Sequence, residues 1–246
     1  ADIEITLNQF ETFVIATRVP RDDAEFGPYI ENPPSGVQGD PYPITNKDAL
    51  IGMLIESDKN IAVISGGANG SMTESKNGRD QGVDQIVGLD KIGNEFIFIK
   101  GDPDDNLTDD FDNAIIVAHY DDTAVFLNGS NSATVTLTAG QYYSIEGGQY
   151  SSGGNIYVRT SKNIYAYQSI TNGNTANLDM YFVPPLSCTS LESIETISDI
   201  TDQAGGTWNN TFITIVTTAT SSVTIVDQNN TTPTWTGAIT TTGVTI

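Results

Sequence analysis

At 246 residues the chain has room for one large all-β domain or two to three small ones, and about 47% of it is apolar once glycine is counted, ordinary for a globular protein. Its 31 acidic residues against 10 basic ones give a formal charge of −21, a surface that repels phosphate backbones and anionic headgroups, so nucleic acid and bare membrane are poor partners. The one cysteine, Cys188, rules out an internal disulfide, and no apolar run approaches the roughly 18 residues that span a bilayer, which speaks against membrane insertion.

In chain order, residues 2–15 predict two strands joined near Asn8-Gln9. The pattern then breaks over 18–47, where Pro20, Pro28, Pro33, Pro34, Pro41 and Pro43 remove ladder donors. A loop of that length is either a contact element or a segment without fixed structure. Residues 50–55 and 60–65 read as a strand pair around Ser57-Asp58-Lys59. The Gly- and Asn-rich stretch from Gly66 to Gly78 lacks the Gly-Lys-Ser/Thr ending and the following helix of a phosphate-cradling loop, so nucleotide binding is discarded. Arg79 with Asp80 and Asp84 reads as a charge pair fixing that loop. Residues 95–99 form a nearly all-apolar strand expected to be buried on both faces.

Residues 113–186 hold the most regular pattern, three expected strand pairs in succession. The first joins 115–119 to 124–127, the second joins 135–138 to 141–145 across Gly140, and the third joins 155–159 to 163–167 across Ser161-Lys162-Asn163. The unit closes on 178–186. The rest of the chain repeats parts of it. Residues 5–15 match 135–145, residues 57–63 match 160–166, and residues 84–89 loosely match the closing segment. Residues 212–216 and 223–226 echo the opening pair. This predicts an all-β fold of tandem antiparallel β-sandwich modules, jelly-roll-like. Their bounds are 1–101 (with the long Pro-rich loop 18–47), 102–188 and 189–246.

Candidate chemistry is sparse. Asp102, Asp104, Asp105, Asp109, Asp110 and Asp112 share one loop, and hard oxygens at close spacing suit Ca²⁺. The loop lacks the central Gly and twelfth-position Glu of an EF-hand, and the alternative is a plain solvated loop. His119 is the only histidine and abuts an apolar strand, so it reads as a structural strand-end residue rather than part of a nucleophilic triad. Tyr157, Tyr165 and Tyr167 are the candidate ligand-binding residues, as a stacking platform for a sugar or a protein; the competing reading is cross-strand packing. A three-residue turn at Ser161-Lys162-Asn163 would set Tyr157 opposite Tyr167 with Tyr165 on the same face. Asp122-Thr123-Ala124 resembles an acceptor pattern for O-linked glycans.

The run from Asn77 to Val87, followed by Gly93-Asn94-Glu95-Phe96-Ile97-Phe98, resembles the signature of the amino-terminal domain of IgGFc-binding proteins. The turn Ser57-Asp58-Lys59-Asn60 and the segment from Phe182 to Cys188 fit its bacterial branch, which includes large surface proteins of Bacteroidetes. The resemblance spans about residues 5–230. It implies a secreted, all-β adhesive or scaffold module with no catalytic centre, and it carries over no defined site.

Three readings follow, in this order. The first is a non-catalytic extracellular adhesion module of a large cell-surface protein, binding a glycan or protein on another surface. The second is a purely structural stalk or filament subunit whose partners are neighbouring modules of the same or identical chains. The third is a glycan-active enzyme. Residues 3–7 or 243–246 are expected to pair across a junction within a longer chain or assembly, because unpaired strand edges recruit other strands.

Overall fold

The computed structural model describes residues 2–16, 50–70, 80–100, 112–172, 175–186, 193, 215–217 and 220–226. Nine strands are formed there: β1 (Val63–Gly70), β2 (Asp80–Ile86), β3 (Gly93–Ile99), β4 (Asn113–Ala118), β5 (Thr123–Leu127), β6 (Val135–Leu137), β7 (Tyr142–Ile145), β8 (Asn155–Asn172) and β9 (Thr175–Phe182). The helical content among the described residues is two single turns, Leu89–Lys91 and Gly147–Gln149. All pairings are antiparallel, and the expected all-β architecture is the one found.

β1 and β2 make a two-stranded hairpin, while the other seven strands form one sheet in which β8 is the hub. Strand β8 is 18 residues long and rich in β-branched and aromatic residues. Its first half lies between β3 and β5, and its second half between β4 and β9.

The register corrects the three expected hairpins. Residues 113–118 pair with 164–169 and residues 125–127 with 158–160, so β4 and β5 run end to end along one edge of β8 instead of against each other. Likewise β6 pairs with β5 and β7 with β4, so the chain does not reverse at Gly140. It does not reverse at Ser161-Lys162-Asn163 either, where the sequence suggested a turn, because β8 passes straight through. Each supposed hairpin is one long strand with a corner in its middle.

The three corners stack side by side and hold one another. The Gly140 amide donates to the Ala118 carbonyl at 2.8 Å, and the Ala118 amide donates back to Gln141 at 2.9 Å. The Ala139 amide donates to Asp121 Oδ1 at 2.9 Å. On the other side the Ala124 amide donates to Ser161 Oγ at 2.9 Å, and Lys162 Nζ reaches the Asp121 carbonyl. Two corners need a left-handed residue, Asp122 at φ 53° and Gly140 at φ 81°. The Gly140 backbone also lies directly against Gly52 (φ 78°), where a Cβ would sit 1.9 Å from the Gly140 carbonyl oxygen, so glycine is required at position 52.

Bending the sheet at this common line folds it over its own inner face into a nearly closed barrel. The inward residues of both halves form one core: Phe96 and Phe98 of β3, Ala114 and Ile116 of β4, Val125, Leu137, Ile145, and Ile156, Val158, Ile164 and Ala166 of β8. Strand β3 alternates instead of being buried on both sides: Phe96 and Phe98 are sealed, while Ile97 and Ile99 are half-buried. The far end of the core is polar. Gln168 Nε2 donates to the Ile99 carbonyl at 2.6 Å, tying the two halves together, and Ser144 Oγ donates to Asn113 Oδ1 at 2.9 Å.

Candidate functional site

The three tyrosines singled out from sequence all lie on the outward side of β8, alternating with its inward Ile156, Val158, Ile164 and Ala166. They do not meet. Tyr157 is in the first half, level with Ile97 of β3, and is buried. Burial and the Glu95 carboxylate that its hydroxyl bonds raise its pKa. Tyr165 sits past the corner level with Val117, half-buried, its hydroxyl also raised by burial and by nearby Tyr120. Tyr167 packs edge-on against Phe182 of β9 with ring centroids 5.8 Å apart. Burial pushes its pKa up to about 12, with Asp84 of β2 adding to the rise. Its hydroxyl makes no hydrogen bond of good geometry, only an approach to the Val87 backbone. The Tyr157–Tyr167 cross-strand pair that a three-residue turn would give is therefore absent: Tyr167 is level with Ile115 and Phe182.

Asp84 of β2 lies near Tyr167. Asp84 Oδ2 accepts from the Phe182 amide at 2.5 Å, so this aspartate ties the hairpin to β9. The Arg79 partner expected for it lies outside the described residues.

Of the six loop aspartates, Asp102, Asp104, Asp105, Asp109 and Asp110 lie outside the described residues. Asp112 is buried beside Tyr150 and Tyr181 and helps to raise the pKa of both. Burial is the larger cause for each, and it is nearly complete for Tyr150, a core residue with Lys100 Nζ 5.6 Å from its ring centre. His119 follows β4 at the corner and stacks edge-on with Tyr120 at 4.6 Å. Thr123, the glycan acceptor suggested by sequence, is fully buried and donates to the Tyr120 carbonyl at 2.6 Å, which corrects that reading.

The outward face of the other half is different. Register places Glu95, Arg159 and Phe126 in one cross-strand row over β3, β8 and β5. The Arg159 guanidinium lies over the Phe126 ring at 4.1 Å, a cation–π contact. Ile97 and Tyr157 form the next row, and Asn128 closes it, its amide donating to the Tyr157 carbonyl at 2.8 Å. Glu95, Ile97, Phe126 and Arg159 are all half-exposed. An arginine stacked on an aromatic ring, flanked by a carboxylate and an aliphatic side chain, is the composition enriched in protein contacts. Sequence reasoning missed this row, because its members are more than 30 residues apart and only the register aligns them.

Among the described residues no group of three or more His, Cys, Asp or Glu could hold a metal, and no helix is long and apolar enough to cross a membrane. No curated protein and no solved structure matches the chain. The profile of the family described as IgGFc binding protein matches residues 1–245. The whole chain belongs to that family, as the run from Asn77 to Phe98 implied.

Proposed function

We propose that the chain is a non-catalytic extracellular adhesion module that engages a protein or glycan of another surface through the outer face of β3, β8 and β5. Family membership supports the binding role, since the family is one of binding proteins. The observation that supports the location is the Glu95–Arg159–Phe126 row, a half-exposed basic and aromatic strip on a chain of charge −21. Arginine stacked on phenylalanine loses little side-chain freedom on binding, so its guanidinium is pre-oriented toward an acceptor on the partner.

The experiment is a glycan and protein array probed with the chain, followed by titration of each hit against Phe126→Ala and Arg159→Ala. Truncating a contact centre costs upward of about 2 kcal/mol, so affinity should fall by about 30-fold. Tyr165→Phe, on the other half of the outer face, should leave it unchanged. Hits that bind both truncations as well as the parent chain would move the contact elsewhere.

The stalk reading predicts no hit on either array. The half-exposed row favours the binding reading, because a face used only for packing between neighbours would not need a pre-oriented cation.

A further inference from the structure

In a chain with 31 acidic residues against 10 basic ones, a cation on a half-exposed face would ordinarily meet a carboxylate of its own chain. Lys91 does, its Nζ 2.9 Å from Asp90 Oδ2. Lys162 Nζ reaches the Asp121 carbonyl, and Lys100 is buried against the Tyr150 ring. Arg159 does neither. Among the described residues its guanidinium lies over the Phe126 ring and makes no hydrogen bond or ion pair. Glu95 is directly across from it on β3, but the Glu95 carboxylate lies beside the Tyr157 hydroxyl, where it adds to the rise that burial gives the Tyr157 pKa.

Arg159 is also the only basic residue of β3, β5, β6 and the first half of β8. The surface beside it is apolar, with Phe126 at 4.1 Å and Ile97 one row on, both half-exposed. A guanidinium over an aromatic face keeps its planar fork of N–H donors free, and that fork matches a carboxylate through two parallel hydrogen bonds. One cation on a chain of charge −21 does not suit a phosphate or sulfate polymer, which needs a row of basic residues and meets a repelling field. A sugar needs several polar groups aimed at its hydroxyls. The two acceptors nearest the fork are turned to Tyr157 instead: Glu95 lies beside its hydroxyl, and Asn128 Oδ1 accepts from its amide at 3.3 Å. A protein carboxylate next to an apolar side chain requires no more than this face supplies.

We infer that this face binds a segment of a partner protein that carries a single aspartate or glutamate beside an apolar side chain. The carboxylate pairs with the Arg159 guanidinium, and the apolar side chain packs on Phe126 and Ile97. Further acids in the segment would meet the repulsion of a strongly acidic chain, so its other residues are neutral or basic. The inference rests on the contact row proposed above and names the chemistry that the row recognises. Stacking on Phe126 holds the fork in place before binding, so little side-chain freedom is lost when the pair forms.

The test is selection of random linear peptides displayed on phage against the full chain. Enriched peptides should carry one Asp or Glu next to an aliphatic or aromatic residue. The most enriched peptide is then synthesised with its acid and with the matching amide, and both are titrated by fluorescence polarisation. The amide form should bind the parent chain about ten-fold more weakly, the scale of a lost hydrogen-bonded charge pair, and should bind the Arg159→Gln chain as well as the acid form does. Arg159→Lys should recover only part of the affinity, because an ammonium keeps the charge without the stacked fork. Free glucuronate and inorganic phosphate should not displace the peptide. An amide form that binds the parent chain as well as the acid form, while Arg159→Gln and Phe126→Ala still weaken both, would overturn the carboxylate and leave the contact row in place. Displacement by glucuronate or phosphate would overturn the protein source of the anion. Peptides that bind both variants as well as the parent chain would overturn the contact row itself, and a selection that enriches nothing would overturn the inference while the array hits still test the row.

Discussion

Two corners of this molecule share a backbone and differ in everything around it. At Thr138–Gln141 and at Asn8–Glu11 the same two hydrogen bonds and the same left-handed residue turn the strand. The first corner sits in a sheet whose flanking Leu137 and Ile145 are sealed, and the second is flanked by exposed Leu7 and Ile15. Corner geometry is therefore a local property, written in four residues. Burial is not, because it depends on which strands lie alongside.

The difference should be largest in the response to core truncation. In the central unit Ile116→Ala or Phe96→Ala removes a fully buried side chain among close-packed neighbours and should cost about 2–5 kcal/mol. Phe13→Ala, at the position aligned with Tyr143 and 51% exposed, should stay within about 0.5 kcal/mol. Chemical denaturation of the three variants checks this. A large loss for Phe13→Ala would show that the first flank already has a core of its own.

How much of this was legible in the sequence can be argued from the same corners. Strand positions were readable because β-branched and aromatic runs such as Ile156-Tyr157-Val158 mark strands whatever they pair with. Setting Ile5-Thr6-Leu7 against Val135-Thr136-Leu137 aligned two corners that share hydrogen bonds, Asn8–Glu11 and Thr138–Gln141. What the sequence hid was the difference between a reversal and a corner. Gly140, Asp121-Asp122 and Ser161-Lys162-Asn163 are turn formers in either case, since each supplies a left-handed residue or a side chain that bonds nearby backbone. The choice is made by contacts remote in sequence, such as the Ala124 amide on Ser161 Oγ, 37 residues away. The same non-locality hid the candidate contact row, since Arg159 meets Phe126 only once β5 lies along β8. Whether Tyr157 shares a face with Tyr165 and Tyr167 hung in the sequence on the length of a supposed turn at Ser161-Lys162-Asn163, and a continuous β8 strings the three out on both sides of the corner.

A smaller effect separates the left-handed residues themselves. Gly140→Ala places a Cβ 3.0 Å from the Gly52 carbonyl oxygen at φ 81°, and should destabilise the central unit by about 1–2 kcal/mol. Phe10→Gly relieves the same conformation at a residue that is 93% exposed, so it should leave the melting temperature unchanged or slightly raised. Thermal melts followed by circular dichroism distinguish the two. Equal losses would mean that Phe10 contributes a contact beyond its turn.

The smallest effect lies in the acceptor at the last position of the two corners: Gln141 holds the Thr138 amide with a neutral oxygen, whereas Glu11 holds the Asn8 amide with an ionisable one. The Asn8 backbone N–H, then its side-chain amide, lowers the Glu11 pKa below its ordinary value of 4.5, with only slight opposition from desolvation. A carboxylate whose folded pKa is depressed contributes stability above its unfolded pKa. That contribution is lost as pH falls from about 4.5 through the lower folded value. Acid should therefore loosen the first corner and leave the central one intact. In a heteronuclear amide titration from pH 7 to pH 3, the Asn8 cross-peak should move with a midpoint below 4.5, and the Thr138 cross-peak should not move with it. Glu11→Gln should abolish the Asn8 titration while keeping its shift near the neutral-pH position, because the amide oxygen accepts the same bond. An Asn8 midpoint at or above the ordinary glutamate value would mean that the Asn8–Glu11 bond does not persist in solution, and the two corners would then share a sequence pattern but not a structure.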